Sequence, residues 1–169
     1  MKTLYLIRHA KSSWKDSALA DFDRPLNSRG KRDLPFMAKK LKELEAAPHL
    51  ILASPALRAK ITAQAFAETF QYSPKDIEYH ENIYEGSAYD LLSIVKKVLP
   101  LYHEVILVGH NPQITAFSNL ICDKVIENIP TSGIVKIEFK LKKWSSIAPQ
   151  TGKMIWFEYP KLYQLVNEE

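Results

Sequence analysis

The sequence predicts an α/β fold in three layers, α/β/α, with a mostly parallel central sheet and an antiparallel edge strand. Three observations carry that prediction. The short runs TLYLI (3–7), LILA (50–53) and VILVG (105–109) are almost continuously apolar, as strands are when both faces of a parallel sheet are covered. Between them lie longer segments whose apolar residues recur every three or four positions, the spacing of crossover helices. In the last third the period changes, because Val135, Ile137, Phe139 and Leu141 alternate with Lys136, Glu138, Lys140 and Lys142, the pattern of a strand with one wetted face.

In chain order, TLYLI is a strand that runs directly into Arg8 and His9. RDLPFMAKKLKELEAA (32–47) is the first helix, and Pro35 either opens it, at the first helical position, or kinks it. LILA leads into a second helix, ALRAKITAQAFAETF (56–70). AYDLLSIVKKVLPLY (88–102) is a third, preceding the VILVG strand, and QITAFSNLICD (113–123) follows that strand as a fourth. GIVKIEFKLK (133–142) forms the edge, and MIWFEY (154–159), after a loop with Pro149 and Gly152, is its antiparallel partner. Residues 1–169 read as one domain without linker or repeat, and 165–169 as a loose tail.

At 169 residues, 46% hydrophobic and 25% charged, the chain can bury a core without disulfide or metal staples. The single cysteine, Cys122, excludes an intramolecular disulfide and points to a reducing compartment, with cytoplasm as the expectation. No apolar stretch has the length of a signal-peptide core or a membrane span, so no membrane association is expected. The net charge of +4 admits a nucleic-acid reading, but the lysines are interspersed with glutamates, as in MAKKLKELEAA. The densest run, KLKKW (140–144), ends an amphipathic strand. A solvated face accounts for both, and no nucleic-acid partner is expected.

In open α/β sheets, sites form outside the carboxyl ends of the strands. Here those ends deliver Arg8 and His9, Arg58 about one turn into the helix after LILA, and His110 at the tip of VILVG. Such a cationic set suits a phosphoryl group, because the planar guanidinium fork matches phosphate oxygens and helix N-termini add N–H donors. The five glycines, at 30, 86, 109, 133 and 152, allow neither a Walker loop nor a G-x-G-x-x-G turn. No aspartate-rich cluster suggests a two-metal phosphatase. Phosphoryl chemistry without these devices needs another nucleophile, for which His9 is the candidate, and another source of positive charge.

The same residues resemble the histidine phosphatase superfamily, which includes the cofactor-dependent phosphoglycerate mutases, and most closely its small SixA-like branch of phosphohistidine phosphatases. LIRHAKSSW resembles the Arg-His-Gly signature with alanine for glycine. DRPLNSRGKRD resembles the Pro-Leu-x-x-x-Gly segment opening the first helix, and ASPALRAKITA resembles Ser-x-x-x-Arg-Ala-x-x-Thr-Ala. IYEG resembles the segment that carries the acid, and VGHNP the second histidine strand. Together these motifs span residues 4–112 in the family's order.

The resemblance implies a phosphoglycerate mutase-like fold and a metal-independent hydrolase with no cofactor. His9 would form a covalent phosphohistidine that water hydrolyses, held neutral by a hydrogen bond from its other ring N–H to a backbone carbonyl. Arg8, Arg58 and a protonated His110 would surround the phosphoryl oxygens. Glu85 is the matching general acid, with Glu81 and Asp90 as competitors and a surface-loop glutamate as the plain reading. Ser12 keeps the family's serine and either touches phosphate or caps a turn. Lys15, where mutase-like relatives carry asparagine, is a phosphate contact or a solvent-facing lysine. Ser54 and Thr62 are expected to support the loop and helix around Arg58. The competing role for Arg8 and Arg58 is a buried ion pair with an acid such as Asp23. His80 and His103 match no motif, and Cys122 reads as a small core residue. One helical stretch separates Glu85 from His110, leaving no insertion to roof the site. An open site suits a phosphorylated protein, such as a histidine phosphotransfer domain, with phosphate or sulfate as simple occupants. The alternative is a phosphomonoesterase or mutase acting on small phosphorylated metabolites.

Overall fold

Where the central strands lie explains why they are almost continuously apolar. In the computed structural model, which describes residues 1–164, six strands form one sheet in the order β3-β2-β4-β1-β5-β6. The strands are β1 (Lys2–Arg8), β2 (Leu50–Ala53), β3 (Glu78–Tyr79), β4 (Glu104–Gly109), β5 (Ile134–Phe139) and β6 (Lys153–Glu158). The first four are mutually parallel, whereas β5 runs antiparallel to β1 and β6 antiparallel to β5. The structure is thus the mostly parallel sheet with an antiparallel edge that the pattern predicts, with the two-residue strand β3 added at the other edge.

Alternate residues of β1 enter two different cores. Leu4 and Leu6 pack with Leu91, Val95, Ile114 and Phe117, from α4 (Ala88–Lys96) and α5 (Gln113–Ile121). Tyr5 and Ile7 pack with Leu34, Met37, Leu41, Ala63 and Phe66, from α1 (Ser28–Glu43) and α2 (Leu57–Thr69). Helices therefore cover both faces, and the central strands have no wet side. The short helices α3 (Glu81–Glu85) and α6 (Lys161–Gln164) complete the α-helices among the described residues.

Helix α1 begins earlier than the periodicity suggests. Asn27 caps it by accepting a hydrogen bond from the Gly30 N–H at 2.9 Å, so Pro35 lies inside the helix rather than at its start. Pro35 is exposed, on the side where water can satisfy the carbonyl left without its usual donor. Lysine is not always solvated here either. Lys2 is 1% exposed, and its ammonium donates to the carbonyls of Pro100 and Tyr102 at the amino end of the sheet. Among the described residues no helix is long and apolar enough to cross a membrane. Residues 165–169, read above as a loose tail, lie outside the described residues.

Candidate active site

Strand register brings the two histidines together. β1 and β4 are parallel neighbours with Arg8 opposite Gly109, so the residues that follow, His9 and His110, leave the sheet side by side. Their ring centroids are 5.0 Å apart. The chain leaves β1 toward β2 and leaves β4 toward β5, on the opposite side. This is the topological switch point at which open α/β sheets form their crevices. The adjoining strand β2 supplies Ser54, whose N–H bonds the Val108 carbonyl at 3.1 Å, and then α2 with Arg58.

His9 is held in one tautomer. Its Nδ1 lies 2.8 Å from the Ala10 carbonyl oxygen. A carbonyl only accepts, so Nδ1 carries the proton and Nε2 keeps its lone pair. Burial lowers the His9 pKa; the Ala10 carbonyl opposes this, His110, Arg58 and Arg8 reinforce it, and the result is about 3. His110 is likewise lowered to about 3, by burial and then by Arg58, with Asp21 opposing. Both imidazoles are neutral at physiological pH. Three arginines raise the cost of a further buried cation at His110, so the protonated form expected around a phosphoryl group is one that the bound anion itself would have to stabilise. Nε2 of His110 shares a 2.7 Å hydrogen bond with Ser54 Oγ.

The arginines are fixed by their surroundings. Arg8 donates from Nη1 to the Ile129 carbonyl at 3.0 Å, and burial lowers its pKa. Arg58 donates to the Asp21 carbonyl at 2.7 Å and to Asp21 Oδ2 at 3.0 Å. Its acidic partner is thus Asp21 rather than Asp23. Asp21 also accepts from the Tyr84 hydroxyl at 2.8 Å and from Arg24 Nε at 3.1 Å. Desolvation would raise its pKa, but the hydrogen bonds from Tyr84, Arg58 and Arg24 and the Arg58 charge bring it down to about 2. The Nε–H groups of both Arg8 and Arg58 are buried and bond no atom of the described residues. An unmet buried donor costs about 1–3 kcal/mol, which an anion accepting from it would offset.

These side chains line a cleft of about 390 Å³. Of the residues singled out from sequence, Arg8, His9, Ser12, Arg58 and His110 line it. Glu85 and Lys15 do not. Glu85 is exposed at the last residue of α3, because each helical residue turns about 100° from the one before. Ile83 takes the core and Tyr84 the cleft, which leaves Glu85 to solvent. Lys15 is exposed and borders a separate groove with Asn27, Arg29 and Lys31. Ser12 Oγ accepts from Arg24 Nη1 at 2.6 Å. Thr62 Oγ1 accepts from the Ala10 N–H at 2.9 Å and donates to the Arg58 carbonyl at 2.7 Å, so it ties α2 to the loop after His9. Glu81, Asp90, His80, His103 and Cys122 lie outside the cleft lining.

The cleft also contains Lys11, Trp14, Asp21, Arg24, Tyr84, Asn111, Gln113 and Thr131, of which only those next to His9 and His110 in the chain follow from the strand-end rule. Most of the cluster nearest Arg58 arrives on a loop that doubles back. The Ser13 N–H bonds the Pro25 carbonyl at 2.8 Å and the Asn27 N–H bonds the Lys11 carbonyl at 3.0 Å, which closes residues 14–24 into an excursion beside the cleft. The signal for Arg24 is its place before Pro25 and Leu26 in one of the quoted motifs. Among the described residues no group of three or more His, Cys, Asp or Glu is arranged to hold a metal.

Comparison with known proteins gives a consistent result. Residues 4–94 match the histidine phosphatase superfamily, branch 1. An uncharacterized protein of Mycobacterium tuberculosis is 27% identical over 165 residues, covering 92% of this chain and all of the relative. Among solved structures, a candidate phosphohistidine phosphatase SixA from Agrobacterium tumefaciens superposes with a TM-score of 0.77 at 29% identity, covering 94% of this chain and 99% of that one. A mycobacterial glucosyl-3-phosphoglycerate phosphatase shares the fold, with a TM-score of 0.68 at 14% identity, covering 91% of this chain and 97% of that one.

Proposed function

Since the chain belongs to the histidine phosphatase superfamily, we propose that it is a metal-independent phosphatase acting on phosphohistidine in proteins, with His9 as nucleophile, in the cytoplasm. The observation that carries the mechanism is the Nδ1–H bond of His9 to the Ala10 carbonyl, which leaves Nε2 with its lone pair in a cleft rich in arginine. Nε2 attacks phosphorus, and the bond from phosphorus to the substrate imidazole breaks with its electron pair going to that ring. Water then attacks the phosphorylated His9, its oxygen bonds phosphorus as Nε2 departs, and one of its protons passes to solvent. Arg8 and Arg58 neutralise the oxygens in both steps. His110 takes up a proton as a dianion binds, because an adjacent anion raises an imidazole pKa.

The proton supply of the cleft favours a P–N substrate. Among the described residues Asp21 is the carboxyl in the cleft lining, and with a pKa of about 2 it is ionised and has no proton to give an alkoxide, while the proton that His110 takes up is held by the phosphoryl oxygens it neutralises. A phosphorylated imidazole takes its proton from water at the free ring nitrogen, and so leaves neutral without a protein acid. In EDTA, the wild type is expected to hydrolyse a phosphohistidine peptide with kcat/KM about a hundredfold or more above phosphoserine peptides, phosphoglycerates and sugar phosphates, the scale of a general acid's contribution. His9→Ala is expected to abolish turnover. A free metabolite as preferred substrate, activity lost in EDTA, or an active His9→Ala variant would each overturn the proposal.

A further inference from the structure

The largest exposed aromatic beside the cleft has no role in the chemistry above. Trp14 is 72% exposed, whereas Trp144 is fully buried and Trp156 half-buried. It is nonetheless held in place. The Arg24 guanidinium carbon lies 3.5 Å from the Trp14 ring centroid, a stacked cation–π contact. Arg24 is only 7% exposed and is fixed by Asp21 at 3.1 Å, Ser12 at 2.6 Å and the Ser13 carbonyl at 3.4 Å. One face of the indole is thus covered by an immobilised arginine, while most of its surface stays in water.

Its position relative to the nucleophile gives this exposure a use. His9, Arg58 and His110 are 7%, 5% and 5% exposed and form the floor of the cleft, while Trp14 lines the same cleft from the solvent side. In-line displacement puts the leaving group opposite the attacking nitrogen. With Nε2 of His9 on the floor, the leaving group points to the mouth, where the indole stands. We propose that Trp14 is a specificity-determining residue, a preset stacking wall for a planar leaving group, and that it selects the phosphorylated imidazole of a histidine over leaving groups without a ring. A rigid aromatic wall gains this contact at little entropic cost, since its partner Arg24 has already ordered it. The inference rests on the reading of the cleft as a phosphohistidine phosphatase site.

The test compares two P–N substrates, N-phosphohistidine and phosphoramidate, of which only the first has a ring, in wild type, Trp14→Ala, Trp14→Leu and Trp14→Phe. The readout is the ratio of the two kcat/KM values, which cancels any loss common to both through a loosened Arg24. Trp14→Ala and Trp14→Leu are expected to lower the ratio about tenfold, the scale of one aromatic stacking contact. Trp14→Phe is expected to restore most of it. A ratio unchanged in Trp14→Ala, or restored as well by leucine as by phenylalanine, overturns the stacking role alone. A wild type that hydrolyses neither substrate overturns the phosphohistidine reading, and the stacking role with it.

Discussion

His9 and His110 are two buried bases in a field of arginines, and their shared resistance to protonation has a consequence for stability. Both have a pKa of about 3, against about 6.5 for a free histidine. Between those values the unfolded chain binds a proton at each position and the folded chain does not. Stability is therefore complete above about pH 6.5 and falls as the pH drops toward 3, by on the order of 1 kcal/mol per pH unit for each histidine. Asp21, held at about 2, adds its own loss only below its ordinary value near 4. Urea midpoints measured from pH 7 to 4 are expected to fall in the wild type and to fall less steeply in a His9→Asn, His110→Asn double variant; parallel curves would contradict the assignment. At this scale Arg8, His9, Arg58 and His110 were legible because strand ends are, and their types name the anion. Asp21, Trp14 and Arg24 were not, because they come from a returning loop whose path depends on bonds such as Ser13 N–H to the Pro25 carbonyl. Glu85 was displaced by its neighbour Tyr84 through a single helical step, which a motif match does not resolve.

Helix α1 and the loop after His9 act as one unit, through contacts that hydrophobic periodicity does not reveal. A Cβ on Gly30 would lie 2.1 Å from the Lys11 carbonyl oxygen, so only glycine allows the helix to approach the loop this closely. Gly30→Ala must push one backbone away from the other. The expected cost is about 1–3 kcal/mol, as for other overpacked sites, together with a loss of kcat/KM of about tenfold or more as the loop beside His9 shifts. Asn27→Ala removes only the cap of the same helix and is expected to lower stability by about 1 kcal/mol with kcat/KM within twofold. A Gly30→Ala variant with wild-type melting temperature and kcat/KM would show that the approach is not needed. The alternation in 133–142 and the apolar runs of β1, β2 and β4 identified their strands correctly, because burial on one or two faces imprints a period. Periodicity misses the start of α1 because its first turn, Ser28–Lys31, carries no apolar side chain and its one buried residue is the glycine at 30. Strand β3 spans only two residues, too short for any period to show.

Over the whole molecule, one topological feature organises the chemistry: connections leave β1 and β4 in opposite directions, opening a crevice at their shared carboxyl end. The two cores on either side of the sheet hold that crevice, and strand register alone places His9 beside His110. The sequence predicted the fold class and the floor of the cleft. What it left open was the wall opposite the floor, where tertiary contacts decide which loop residues face inward. The central claim is that the neutral His9 Nε2 accepts the phosphoryl group. It is tested most directly by mixing the protein with phosphoramidate, quenching in alkali within the first turnovers, and mapping the phosphorylated residue by mass spectrometry. The account predicts a phosphoryl group on His9 that is labile to acid, and none in His9→Ala; turnover without any adduct, or an adduct on another residue, would contradict it.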